Sequence, residues 1–124
     1  MYERILVGTD GSKTAAKAVE RAVEVAASSG ASLTVLAAAR RDKGDAVVAA
    51  AAAAHASSGV VIDTKVIEAE PVAALIDEAT AGRYDLLVVG NKGMTGVSRY
   101  FRLGSVPNKV THHLPCSLLI VKTT

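Results

Sequence analysis

The chain has 124 residues, half of them hydrophobic, with one Phe, three Tyr, no Trp and a net charge of +2. That is the length of one domain, able to bury roughly two-thirds of the surface its unfolded form exposes, around a core that must be aliphatic. Scattered basic residues leave no electrostatic footprint for nucleic acid, no apolar run nears the roughly 20 residues of a membrane span, and the lone Cys116 excludes an internal disulfide and fits a reducing cytosol.

The first residues enter a strand at once, so no signal peptide is expected. Ile5, Leu6 and Val7 form a continuous apolar run, as in a parallel strand buried on both faces. Residues 8–12 read as a loop, with Ser12 placed to cap the next helix. In that helix Ala15, Val19, Ala22, Val23 and Ala26 share one face, and Gly30 is placed to end it. Residues 33–37 are a second strand and 40–44 its exit loop. Residues 45–57 are dominated by alanine, which gives high helix propensity and little bulk, so close packing on a sheet is expected. His55 falls at a surface position there.

Residues 60–67 alternate and carry Asp63 and Lys65 inside a strand, the pattern of a sheet edge. Pro71 suits the first turn of a helix with a buried stripe of Val72, Leu75, Ile76 and Ala79, ended by Gly82. Residues 86–89 are the fourth strand. Residues 94–103 are a loop or a short irregular helix. A last helix is expected from Ser105 to Leu114, with Pro115 as its stop. Cys116 reads as a small core residue, and Leu118, Leu119, Ile120 and Val121 as strand five.

Five strands alternating with helices predict a three-layer α/β/α fold: an open parallel five-stranded sheet of Rossmann-like type with helices on both faces. Right-handed crossovers leave few strand orders. The order 3-2-1-4-5 places the alternating strand at an edge. The loops after strands one and four then flank the topological switch point, where ligands sit in open α/β sheets.

The stretch Gly90-Asn91-Lys92-Gly93, with Gly104-Ser105 at a helix start, lies at that point. Glycines allow backbone N–H groups to approach an anion closely. Ser105 suits an N-cap, and the open N–H groups of a first helical turn favour phosphate. The same glycines also serve a strand-to-helix turn without any ligand. Asp10, at the end of strand one, can accept from an adenine amino group or a ribose hydroxyl, or can cap the following helix. Lys92 supplies a point charge to a phosphate or faces solvent. His112 and His113 project about 100° apart on a helix and do not converge on one metal ion. There is no Gly-x4-Gly-Lys-Ser/Thr, no Gly-x-Gly-x-x-Gly, and no obvious general base near the glycines. Binding is expected, with at most slow hydrolysis.

The Gly-x2-Gly pattern followed by Gly-Ser resembles the signature of the ATP-binding branch of the universal stress protein family. The stretch from Gly90 to Val121 is similar to that family's C-terminal third, and ILVGTDGS to its first strand and loop. The resemblance covers nearly the whole chain as a single domain, residues 1–124, and is least specific in the middle. It implies the adenine nucleotide alpha hydrolase-like fold. It implies contacts from Thr9, Asp10 and the Ala38 backbone to the nucleoside, and from Gly90, Gly93, Gly104, Ser105 and Val106 to ribose and phosphates. Lys92 and Arg40 are candidate phosphate contacts, though a solvated loop also accounts for them. ATP with Mg2+ is the first expected ligand, with AMP and cyclic AMP next, in a cytoplasmic protein of the stress response. One departure stands out: ten residues separate Gly93 from Gly104, one more than the family pattern has.

That departure keeps open a second class, a dimeric stress protein of the same fold that binds no nucleotide. A phospho-acceptor receiver would need an Asp ending strand three, where Glu68 and Glu70 stand. A flavin carrier would need stacking aromatics, which this composition lacks. As an edge strand, the continuous apolar run from Leu118 to Val121 is expected to pair with its copy in a two-fold homodimer. The family resemblance implies the same.

Overall fold

A computed structural model describes residues 1–91 and 114–123. The elements run β1 (Arg4–Gly8), α1 (Lys13–Ser29), β2 (Ser32–Ala38), α2 (Arg41–Ala54), β3 (Ile62–Ile67), α3 (Pro71–Ala81), β4 (Leu86–Gly90) and β5 (Ser117–Val121). The five strands form one sheet in the order β3-β2-β1-β4-β5, every pairing parallel. This is the predicted order, with β3 and β5 at the edges.

The central strands are buried on both faces, which explains their unbroken apolar runs. Ile5, Val7, Leu33, Val35, Leu86 and Val88 point into one cluster with the inner faces of α1 and α2. Leu6, Leu36, Leu87 and Val89 point the other way, against Val72, Leu75 and Ala79 of α3. The predicted inner face of α1 is buried as expected, with Ala18 added. Ser12 caps this helix by accepting from the Ala15 N–H at 3.1 Å, and Gly30 closes it in the left-handed region.

The middle of the chain departs from expectation. Residues 41–44 are the first turn of α2, not an exit loop, so only Ala39 and Arg40 connect β2 to α2. The Glu68 carboxylate, across the sheet edge, accepts the Arg41 N–H at 2.7 Å and does what a local cap would do. Gly44 reads as a breaker but lies inside the helix, because a Cβ there would collide with Val66 on β3. The helix also ends early, at Ala54, with His55 as its C-cap. Of its alanines, Ala51 packs half-buried against the core cluster. Only Gly44 and Val48 of α2 are buried, and Ala49, Ala50, Ala53 and Ala54 are exposed.

β3 begins at Ile62, not residue 60, and Val61 is exposed. In α3, Ile76 is only half-buried and Glu78 takes a buried place. Cys116 is half-buried beside the α3-side cluster and is not a core residue. Leu114 is coil; the rest of the expected last helix, with His112 and His113, and residues 94–103 lie outside the described residues. No described helix is long and apolar enough to cross a membrane.

Candidate functional site

β1 and β4 lie side by side at the centre of the sheet, with Val7 opposite Val88. The chain leaves β1 toward α1 on one face, and β3 returns to β4 through α3 on the other. Gly8 and Gly90, at the ends of β1 and β4, therefore stand on the two sides of the topological switch point, the two walls of the candidate site. Ala38, at the end of β2, stands one strand away on the β1 side.

The first wall is built by short-range hydrogen bonds. Thr9 is 3% exposed; its N–H donates to the Leu36 carbonyl at 2.9 Å, and its Oγ1 accepts the Gly11 N–H at 3.1 Å. Asp10 is half-buried, and its Oδ1 accepts the Ser12 N–H at 2.9 Å. The two alternatives for Asp10 thus divide between its oxygens: one supports the turn into α1, and a carboxylate keeps a second acceptor. Gly11 holds φ at +83°, where a side chain is strained. The turn is thereby fixed before any ligand arrives.

The second wall starts at Gly90, which pairs with Val121 and is half-buried. Asn91 continues the ladder, its N–H donating to the Val121 carbonyl at 2.9 Å. The Asn91 Oδ1 accepts both the N–H and the hydroxyl of Thr123, each at 2.8 Å. Lys92, Gly93, Gly104, Ser105 and Val106 lie outside the described residues. Of the expected site, Thr9, Asp10, Ala38 and Gly90 are thus brought to the strand ends around one switch point.

Arg40 is the residue before α2, with an exposed side chain 3.7 Å from Asp42. Such an exposed pair contributes little. Among the described residues no group of three His, Cys, Asp or Glu is arranged to hold a metal ion. A groove of 160 Å³ lies between α1 and α2, where alanine side chains leave space unfilled. It shares Thr9, Gly11 and Ser12 with the first wall but is closed on its other side by Val47, Ala51 and His55, so it is not the space bounded by Asp10, Ala38 and Gly90.

Sequence reasoning did not find the bonds of Asn91 to Thr123, or those of Glu78. Asn91 and Thr123 are 32 residues apart and Lys65 reaches Glu78 from β3, while the Tyr84 bond spans only six residues but carries no recognisable pattern.

Fold and strand order define an open parallel α/β domain with a topological switch point between the first and fourth strands. The chain belongs to the universal stress protein family, whose model matches residues 1–51 and 36–122. Universal stress protein Rv1636 of Mycobacterium tuberculosis is 32% identical over 145 aligned positions, covering 99% of this chain and 98% of that one. A universal stress protein solved in complex with cAMP is 35% identical, with a TM-score of 0.80, over 99% of this chain and 98% of that one. A family protein from Arabidopsis thaliana solved with AMP bound is 19% identical, with a TM-score of 0.70, over 98% and 92% of the two chains, and shows the shared fold. The two matched stretches of this chain overlap at α2, and its 124 residues align with Rv1636 over 145 positions.

Proposed function

We propose that this protein binds an adenine nucleotide at the switch point between the ends of β1 and β4, and acts through the bound state rather than by catalysis. The observation that carries the reading is the pairing of a preformed Asp10 turn with a glycine loop at the switch point, in a chain 35% identical to a protein solved with cAMP. Asp10 Oδ2 would accept from the adenine amino group or a ribose hydroxyl. Thr9, whose side chain and N–H are engaged internally, would contribute its carbonyl, and Ala38 its main chain. Gly90, Gly93 and Gly104 would let the backbone approach ribose and phosphates, with Ser105 and Val106 at the helix start. Lys92 is the candidate counter-charge, while Arg40 is turned to Asp42.

ATP with Mg2+ is the first ligand of this proposal, AMP and cyclic AMP the next. A Mg2+ ion would be held chiefly by the phosphates and water, as that ion usually is. The proposal extends to a single-domain cytoplasmic protein that pairs through β5 as a homodimer. Thermal unfolding with each nucleotide tests the ligand, since a molecule that binds only the folded state raises Tm in proportion to the logarithm of its excess over Kd. A rise of several degrees with at least one adenine nucleotide is expected, and no rise with any of them at millimolar concentration contradicts the reading. The ten residues between Gly93 and Gly104 keep open the alternative, a dimeric stress protein without nucleotide, which that null result would support.

A further inference from the structure

We infer that α2 docks on the sheet as a separate, weakly held unit and that, when docked, it buttresses the Asp10 turn through Val47, so that α2 regulates the nucleoside side of the site. The regulatory half rests on the nucleotide reading above; the docking itself does not. α1 buries six residues spread from Ala15 to Ala26, and α3 five from Val72 to Ala79. α2 buries two, Gly44 and Val48, both in the first eight of its 14 residues. α1 brings two valines to the core and α3 a valine and a leucine, whereas Val48 is the one buried branched side chain of α2.

Beyond Val48 the helix is held loosely. Ala49, Ala50, Ala53 and Ala54 are exposed, and Ala51 and Ala52 are half-buried. A groove of 160 Å³ separates Ala50, Ala51 and Ala54 from Ala16 and Val19 of α1, because methyl groups do not span the gap. Dispersion contacts are missing along that side. At the other end, Gly44 lies against Val66, and the Glu68 carboxylate holds the Arg41 N–H at 2.7 Å in a bond open to solvent. Alanine favours the helix itself, but a helix of about this length is marginal in water without packing. Among the described helices, α2 is therefore the one whose opening costs least.

The docked helix meets the Asp10 turn at Val47. A Cβ on Gly11 would stand 3.1 Å from Val47 Cγ2, so the valine packs directly on the Gly11 backbone. Gly11 is the middle of the turn. Its N–H donates to Thr9 Oγ1 at 3.1 Å, and the Asp10 carboxylate spans it to accept the Ser12 N–H at 2.9 Å. With α2 away, water competes for both donors and the turn loses its fixed shape. A ligand held by Asp10 must then order the turn as well as bind to it. Docking of α2 and binding of a nucleoside at Asp10 therefore favour each other, and the coupling is reciprocal.

The test is hydrogen exchange of the full chain, read amide by amide by NMR, in the wild type, Val47→Ala, Val47→Ile and Ala50→Leu, with calorimetric Kd for adenosine and for tripolyphosphate. In the wild type, the mid-helix amides of α2 should exchange about tenfold faster than those of α1 and α3, the factor that one fewer buried branched side chain gives. Val47→Ala should speed exchange in α2 and at Gly11 and Ser12. It should also weaken adenosine binding roughly fivefold, the low end of coupling between sites, and leave tripolyphosphate unchanged. Val47→Ile should restore both. Ala50→Leu, which fills the groove, should slow exchange in α2 and tighten adenosine. Equal protection of the three helices overturns the inference, as do Gly11 and Ser12 amides indifferent to Val47→Ala. An adenosine Kd that neither variant moves, in a wild type that binds adenosine, overturns it too. If Val47→Ala does not fold, Ala50→Leu decides by the same readouts. A wild type that binds no adenine nucleotide overturns the nucleotide reading itself, and exchange at Gly11 and Ser12 still decides whether α2 buttresses the turn.

Discussion

Tyr84 donates its hydroxyl to Glu78 Oε2 at 3.1 Å, while Lys65 on β3 holds the other carboxylate oxygen at 2.8 Å. Glu78 is 8% exposed and Tyr84 6%, so α3 is fastened to the sheet by a charged group below its surface. Arg4 lies over the Tyr84 ring at 4.7 Å and donates to the Gly82 carbonyl, which closes the end of α3 onto β1. Removing one neutral donor costs less than removing the charge that two partners share. Tyr84→Phe should lower the unfolding free energy by about 1 kcal/mol, and Glu78→Ala by about 2 to 3 kcal/mol. Urea unfolding of the two variants would measure both. Equal losses would mean that the carboxylate does not organise the cluster.

Alkaline pH should destabilise the fold. The Cys116 thiol is pushed up from its ordinary 9.0 by burial and by the Asp85 charge. The Tyr84 phenol is pushed up from 10.0, first by burial and then by Glu78. The Lys65 ammonium is raised from 10.5 by its bond to Glu78, against a smaller opposing effect of burial. Each folded group holds its proton to higher pH than the unfolded one. Their contribution is complete below the ordinary values and is lost as pH rises through the raised ones. Stability should be flat in these groups well below pH 9.0 and fall above it. Unfolding midpoints between pH 7 and 11 would show the slope, and a flat or rising midpoint would contradict it.

Gly44 is a packing glycine. Adding one methyl there drives it into Val66, a buried residue of an edge strand that has room to give only outward. Gly44→Ala should therefore destabilise by about 1 to 3 kcal/mol despite the better helix propensity of alanine. A thermal melt that shows stabilisation would mean that β3 yields freely.

What was legible in the sequence follows from the range of the interactions. The runs at Ile5–Val7 and Leu86–Val89 are apolar because both sheet faces are covered, and with alternating helices they led to the strand order. The Ser12 cap and the Asp10 turn are local and could be placed from residue type. The start of α2 could not, because its cap comes from Glu68 and its glycine answers to Val66. The alanine face was misread for a related reason: composition gives the helix, but only the two-residue connection from β2 sets where the helix lies. Glu78 and Asn91 depend on partners that only the folded chain brings near.

β5 presents a sheet edge on which Ile120 is 38% exposed and Leu119 half-buried. A free apolar edge invites pairing with another chain. Light scattering at micromolar concentration should give twice the formula mass of 12.7 kDa. Leu119→Lys should shift the protein toward monomer or insolubility. A clean wild-type monomer would contradict the homodimer.

Asp10→Ala should weaken binding of ATP and of adenosine roughly tenfold, as the loss of a hydrogen bond to a charged acceptor would. Affinity for tripolyphosphate should stay the same. Competition binding with the three compounds separates the contributions, and equal losses for ATP and tripolyphosphate would remove Asp10 from the nucleoside pocket.

Calorimetric titration of the wild-type chain with ATP, AMP and cyclic AMP, with and without Mg2+, bears most directly on the central claim. The Asp10 turn beside the end of β4 predicts one site per chain for at least one of these nucleotides. Adenosine should bind more weakly than the phosphorylated forms. No heat of binding from any of them at millimolar concentration, in a chain shown to be folded, would contradict the account.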